Sequence, residues 1–247
     1  MHRVSLQLAE WLNAGLAFFY PEICQLCGNQ RARPSDGYIC GTCRGKVHWI
    51  ERPFCERCGR PVEGAISAAF ECGTCLDHPP NFTWARAAVT TDGPVLEAIH
   101  KYKYHHGLWA EPFLAGLLLE RSVEELKGDS WDWFVPVPLY PTRQRAREFN
   151  QAERLARRLA AATGVPVNTH LIQRLRDTQT QTRLSREERR ENVLHAFGLR
   201  KRVRLNGERI LLIDDVFTTG ATTDACARVL RRGGAGDVCV WTVARGV

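Results

Sequence analysis

The chain has 247 residues, with 44% hydrophobic and 25% charged side chains, the balance of a globular protein and not of a disordered or membrane-embedded one. At roughly 100 to 200 residues per domain, it has room for one main domain and an appendage. Its 34 Lys plus Arg against 27 Asp plus Glu give a formal +7 and a pI near 9.0, beside 10 cysteines. Only five of the basic residues are lysine. The rigid guanidinium fork suits phosphate, but a skewed genome composition produces the same bias.

In chain order, Leu6, Ala9, Leu12, Leu16 and Phe19 recur at helical spacing and predict an amphipathic helix over residues 1–21 that packs on the rest of the chain. No stretch approaches the roughly 20 apolar residues of a membrane span. Glu10 and the lack of a small-residue cleavage site argue against a signal peptide. A cytoplasmic protein without membrane insertion is expected.

Residues 22–83 hold eight cysteines in four Cys-x-x-Cys pairs: Cys24/Cys27, Cys40/Cys43, Cys55/Cys58 and Cys72/Cys75. Cys24 to Cys55 is an offset of 31 and Cys40 to Cys72 an offset of 32, so the segment is an internal repeat. Paired thiolates at this spacing match zinc ribbons, whereas redox Cys-x-x-Cys motifs come singly at a helix start. The simplest arrangement closes one zinc site per repeat, although spacing leaves a swapped pairing open. Four thiolates per ion leave no position for a substrate, so both sites read as structural. Eight basic and eight acidic residues precede Trp84. Each tetrathiolate zinc adds about −2, which makes the ribbons a mildly acidic module suited to docking other proteins more than to clamping DNA. Cys226 and Cys239 lie in apolar surroundings and read as core residues.

From residue 84 to 247, short apolar runs alternate with helical periodicities, which predicts an α/β fold around a mostly parallel sheet. Strands are expected at 84–90, 133–137, 210–213 and 238–243, and helices at 95–104, 111–126, 150–162 and 222–231. The stretch Ile210-Leu-Leu-Ile-Asp-Asp-Val-Phe-Thr-Thr-Gly-Ala-Thr222 is the most informative. A doubly buried strand ends in two acids and runs through a hydroxyl-rich turn into a helix, at the edge where open α/β sheets bind ligands. Thr218, Thr219 and Thr222 offer hydroxyls, Gly220 permits close approach, and the free amides of the helix start attract phosphate. Asp214 and Asp215 would repel that phosphate directly; they suit ribose hydroxyls or a hydrated Mg²⁺.

This run resembles the phosphoribosyl-pyrophosphate (PRPP) loop of type I phosphoribosyltransferases. Three more stretches narrow the resemblance to the ComF family of competence-associated phosphoribosyltransferase-like proteins: His100-Lys-Tyr-Lys-Tyr104, Val135-Pro-Val-Pro-Leu-Tyr-Pro141 running on to Arg143-Gln-Arg-Ala-Arg-Glu-Phe-Asn-Gln151, and Thr178-Gln-Thr-Gln-Thr182 with Arg183, Arg186, Arg189, Arg190 and Asn192. The resemblance covers nearly the whole chain. It departs at Glu148, where the family usually has Gly. The resemblance implies a type I phosphoribosyltransferase-like sheet flanked by helices behind a double zinc ribbon. It implies that Asp214 and Asp215 hold the ribose hydroxyls, that Thr218, Thr219, Gly220, Ala221 and Thr222 cradle the 5-phosphate, and that Pro138, Leu139 and Tyr140 form a pyrophosphate loop. It places Arg183 and Arg186 on a closing loop over the pyrophosphate, with Lys101 and Lys103 in reach of the leaving group and Mg²⁺ entering with PRPP.

Between Tyr140 and Arg204 there are 16 basic and 6 acidic residues, a local +10. Arg154, Arg157 and Arg158 share a helix face with Glu153 nearby and fit a solvated surface. Arg143, Arg145 and Arg147, with Tyr140 and Phe149 close by, have the arginine-aromatic mix of a single-stranded DNA groove. Two functions are therefore expected as competitors. One is a PRPP-binding protein of DNA uptake that also binds single-stranded DNA; the other is an active transferase with an unidentified acceptor. No base-specific hood can be read from 84–125.

Overall fold

The structure is a computed structural model; it describes residues 22–246 except 65, 67, 106, 127, 179–192 and 194. The helix expected at 1–21 lies outside the described residues.

A parallel sheet carries the body. Its strands are β1 (Ala85–Thr90), β2 (Trp133–Pro136), β5 (Arg209–Phe217) and β6 (Asp237–Arg245), in the order β1-β6-β5-β2. Two short helices lie in the ribbons, α1 (Gly41–Arg44) and α2 (Gly73–Asp77), and the helices around the sheet are α3 (Gly93–Tyr104), α4 (Glu111–Leu126), α5 (Pro141–Arg147), α6 (Gln151–Thr163) and α7 (Ala221–Arg232). A separate antiparallel pair, β3 (Ile172–Arg174) and β4 (Phe197–Leu199), stands beside the sheet. Alternation along β5 and β6 supplies both faces. Leu211, Ile213, Trp241 and Val243 pack with Leu114 and Leu117 of α4 and Leu155 of α6. Ile210, Leu212, Val238 and Val240 pack with Ala225 and Leu230 of α7.

The ribbons do not form a module apart from this body, as their charge had suggested. Ile39, Cys40 and Cys43 of the first ribbon join the core cluster of α4. Cys55, Cys58 and Cys75 of the second join the core on the opposite face, with α7. The connection between them runs along the free edge of β1: the Ile50 amide donates to Ala88 O at 2.9 Å and the Thr90 amide to His48 O at 2.9 Å. An exposed sheet edge is thereby covered.

Strand β5 is longer than the apolar run predicts. Its ladder with β6 continues through Asp214↔Thr242 and Phe217↔Arg245, whereas its ladder with β2 stops at Pro136↔Ile213. Pro136 and Pro138 have no amide to extend that rung. The two acids are thus within a strand on one side and beyond the sheet's carboxyl end on the other. Helix α5 was not anticipated, because Pro-Thr-Arg-Gln-Arg-Ala-Arg has no apolar stripe and buries no residue. The three-residue strands β3 and β4 are too short to show a period.

Candidate functional site

Asp214 and Asp215 form the floor of a cavity of about 250 Å³. Its walls carry Lys103 and Tyr104 from α3, Arg143 and Arg147 from α5, Arg174 from β3, Thr218 from the turn after β5 and Thr222 from the start of α7. Two carboxylates therefore share one space with four cations. Lys103 Nζ lies 2.7 Å from Asp215 Oδ2, and the Asp215 amide donates to Asp214 Oδ1 at 2.9 Å. Burial, then the neighbouring Asp215 charge, push the Asp214 carboxyl up to about 8, against the pull of Lys103. The same carboxylates raise the Lys103 ammonium despite its burial. Burial and the Arg143 charge lower Arg174, whose guanidinium stacks 5.3 Å from the Phe197 ring and bonds Thr178 Oγ1. Arg143, in the same wall, pairs with Asp177 at 2.9 Å.

The turn after β5 is shaped by one glycine. Gly220 has φ +79 and is the N-cap of α7. A Cβ there would come within 2.4 Å of the Phe217 ring, so both the backbone and the space demand glycine. Thr219 Oγ1 accepts from the Ala221 amide at 3.4 Å and Thr223 Oγ1 donates to Gly220 O at 3.0 Å. The first amides of a twelve-residue helix then open toward the turn.

The Glu148-Phe149-Asn150-Gln151 segment sets the opposite wall. Glu148 closes α5 with φ +67, a left-handed conformation that favours glycine, the residue the resemblance leads one to expect at this position. Phe149 packs on Tyr102 with ring centroids 5.0 Å apart. Asn150 Nδ2 donates to Val137 O at 3.1 Å, and its Oδ1 accepts from the Ala152 amide at 3.0 Å, which fastens the start of α6 to the end of β2. Gln151 lines the cavity and accepts from Arg147 at 3.1 Å.

Set against the sequence reading, the structure brings Asp214, Asp215, Lys103, Leu139, Thr218 and Thr222 together. Thr219, Gly220 and Ala221 line the other side of the same turn, facing the second ribbon. Lys101 does not reach the cavity. Two residues from Lys103 on a helix, it points the other way, donating to Gln25 O of the first ribbon at 2.6 Å and pairing with Glu97 at 2.8 Å. Pro138 borders a separate polar cavity of about 300 Å³ with Gln144, Gln173 and Arg200, and Tyr140 is the N-cap of α5. Arg143 and Arg147, expected on a DNA groove, enter the carboxylate cavity, while Arg145 is exposed. Phe149 is half-buried and packs on Tyr102. Arg154 and Arg158 both clamp the buried Glu111, and Arg157 pairs with Glu153 at 2.7 Å. Arg183 and Arg186 lie outside the described residues, as do Arg189, Arg190 and Asn192. Arg174 and Tyr104 were missed as cavity residues; Tyr104 ends the His100–Tyr104 stretch, and Arg174 lies four residues before Thr178 with no motif of its own.

The eight cysteines gather as two clusters, Cys24/Cys27/Cys40/Cys43 and Cys55/Cys58/Cys72/Cys75, with the sulfurs of each within 4.8 Å of one another. A tetrahedron with zinc–sulfur arms of about 2.3 Å has edges of about 3.8 Å. The Cys24–Cys43, Cys27–Cys40 and Cys58–Cys72 sulfur separations are 3.8, 3.7 and 3.8 Å. Amides point at the sulfurs: Cys40 N at 3.4 Å from Cys24 Sγ, and Cys72 N at 3.2 Å from Cys55 Sγ. Gly28 and Gly59 take positive φ, +68 and +70, and close the knuckles by donating their amides to Cys24 O and Cys55 O, each at 2.8 Å. Against burial, amides of Cys27, Cys40 and Leu26 bring Cys24 down to about 6, while burial and the neighbouring thiols send Cys43 up to about 12. Each repeat closes its own site.

The model of the double zinc ribbon domain matches residues 15–76. "Competence protein F" of Haemophilus influenzae is 30% identical over 229 residues, covering 84% of this chain and 97% of that protein. "DNA utilization protein YhgH" of Salmonella typhimurium is 34% identical over 230 residues, covering 91% and 97%. The chain belongs to the ComF family. Within the same family, "Competence protein ComFC" of Bacillus subtilis is 27% identical across 90% of this chain and 95% of that protein. Solved structures similar in outline to this ComF chain include a purine phosphoribosyltransferase from Pyrococcus horikoshii Ot3, 16% identical over 56% of this chain and 84% of that one, with a TM-score of 0.33. An adenine phosphoribosyltransferase from Thermoanaerobacter pseudethanolicus is 18% identical over 66% and 79%, also at 0.33. Among the described residues of this ComF protein, no helix is long and apolar enough to cross a membrane.

Proposed function

We propose that the carboxylate cavity binds PRPP with Mg²⁺, and that the chain works in DNA uptake by coupling this ligand to single-stranded DNA. The observation that carries the reading is the meeting of Asp214 and Asp215 with Lys103, Arg143, Arg147 and Arg174 in one cavity beside a hydroxyl-lined helix start. A sugar with anions at both ends needs this pattern: acceptors in the middle for its hydroxyls, and donors at either side. The 5-phosphate would sit on Thr218, Thr222 and the first amides of α7. The pyrophosphate would lie against Lys103, Arg143, Arg147 and Arg174, with Arg183 and Arg186 as further partners. Mg²⁺, when bound, would offset the pyrophosphate charge. The names of the relatives, competence and DNA utilization, support the cellular setting. Exposed Arg145, Arg200, Lys201 and Arg204 supply cations for a DNA backbone beyond those the cavity uses.

The same residues would serve phosphoribosyl transfer, in which leaving-group neutralisation and water exclusion matter more than a nucleophile. A PRPP titration with and without single-stranded DNA tests the binding reading. A shift in the affinity of one ligand by the other is expected, and it must be reciprocal. Independence of the two ligands would overturn the coupling. Steady pyrophosphate release with DNA, nucleobases or amines would move the assignment to the transferase.

A further inference from the structure

Among the described residues the turn after β5 meets the second ribbon, and one buried side chain, Arg245, reaches from the strand beside it to a cysteine of that ribbon. Arg245, the last residue of β6, is 6% exposed. Its guanidinium donates to Cys58 O at 2.6 Å and to Cys58 Sγ at 3.5 Å, and its plane lies 4.6 Å from the centre of the Phe217 ring. Among the described residues no carboxylate pairs with it. A buried guanidinium without a counter-ion is costly, and the anion within its reach is the second cysteine cluster. Phe217 is the ring that fills the space beneath Gly220; it is also held edge-on by Phe82 at 5.9 Å. A gap of about 60 Å³ separates Cys58, Cys75 and His78 from Thr219, Gly220 and Ala221. A second link runs parallel to the first. Asn81, just after the second ribbon, donates from its amide and side chain to Asp224 Oδ1 at 2.6 and 2.9 Å, in the first turn of α7. The first ribbon's polar links, among the described residues, run elsewhere. Its contacts are with α3 and α4, through Lys101 to Gln25 O and Arg44 to Glu120 at 2.8 Å.

We propose that Arg245 is a positioning residue that ties the second zinc site to the Phe217–Ala221 turn, so that the second ribbon, and not the first, sets the shape of the phosphate-binding loop. The tetrathiolate zinc complex is the counter-ion of Arg245. With it in place the guanidinium is held flat on Phe217, Phe217 fills the space under Gly220, and the turn keeps its amides directed at the ligand. Loss of the second metal would free the guanidinium, and the turn would lose its floor.

The inference rests on the PRPP reading for its ligand but not for its structural test. Hydrogen exchange of the 217–223 amides and PRPP affinity by calorimetry with Mg²⁺ are measured on the full chain for wild type, Arg245→Met, Cys75→Ser and Cys40→Ser, alongside zinc content. Arg245→Met and Cys75→Ser should speed loop exchange about tenfold or more, as for a local opening, and weaken PRPP by at least about fivefold, within the range of couplings between linked sites. Cys40→Ser should lose the first zinc and leave both readings unchanged. Arg245→Lys, which keeps the charge, should recover part of the protection. Unchanged loop exchange in Arg245→Met, or equal loosening by Cys40→Ser, overturns the coupling. Should Cys75→Ser not fold, Arg245→Met decides alone. Should wild type bind no PRPP, the ligand reading fails and the exchange contrast still decides the coupling.

Discussion

Replacing Asp214 by Asn should stabilise the ligand-free protein, and by more as the pH rises. Burial and the Asp215 charge raise the Asp214 carboxyl from an ordinary 3.8 to about 8. The folded chain therefore keeps a proton that the unfolded chain releases. That proton contributes stability that is fully present below 3.8 and lost as the pH climbs through about 8. Asn carries no charge at any pH and retains the Oδ1 that accepts from the Asp215 amide. From about pH 5 to about pH 8, at about 1.4 kcal/mol per unit, the ceiling on the change in the difference is on the order of 4 kcal/mol. Water entering the open cavity returns much of this, and a widening of about 1–2 kcal/mol is expected, or about 2–8 °C in melting temperature. Melting curves of both proteins across this pH range are the assay. A gap independent of pH, or a variant less stable than wild type at the alkaline end, would refute the claim that burial and the Asp215 charge keep a proton on Asp214.

Three further expectations follow from other parts of the molecule. Glu148→Gly should stabilise by about 1 kcal/mol, because φ +67 at this position costs any residue with a Cβ about that much; a destabilised variant in a urea titration would show that the Glu148 side chain matters more than its backbone. Elemental analysis should give two zinc ions per chain, one for each cysteine cluster, and a value near one would contradict the self-contained repeat. Single-stranded DNA binding should weaken steeply with salt, since released counter-ions drive it, and Arg145→Ala should flatten the slope by about one unit without changing PRPP affinity; a salt-independent affinity would remove the electrostatic reading.

The parts of the fold legible in the sequence were those with strong periods. The Ile210–Ile213 run is buried on both faces, and its apolar continuity says so. Helices α4 and α6 were placed to within a residue or two, since their apolar faces repeat over several turns. Elements with no buried stripe, α5 above all, gave nothing to read. The cavity was half visible. Asp214, Asp215 and the threonine turn are adjacent in sequence, so composition alone groups them. Arg174 arrives from a three-residue strand and Arg143 and Arg147 from an unpatterned helix, and only the sheet topology joins these to the acids. Lys101 and Lys103 show the opposite failure: neighbours in a motif point to opposite sides once the segment is helical. The straddling of the sheet by the two ribbons was invisible because a zinc repeat explains its own cysteines and gives no reason to look for shared core.

Asp214 and Asp215 are proposed to hold a phosphoribosyl ligand in the cavity of Lys103, Arg143, Arg147 and Arg174. Calorimetric titration of PRPP with Mg²⁺ into wild type and into the doubly substituted Asp214→Asn, Asp215→Asn protein tests it most directly. Saturable binding to wild type and none to a variant that melts cooperatively is the predicted result; equal affinity in the two proteins would contradict the account.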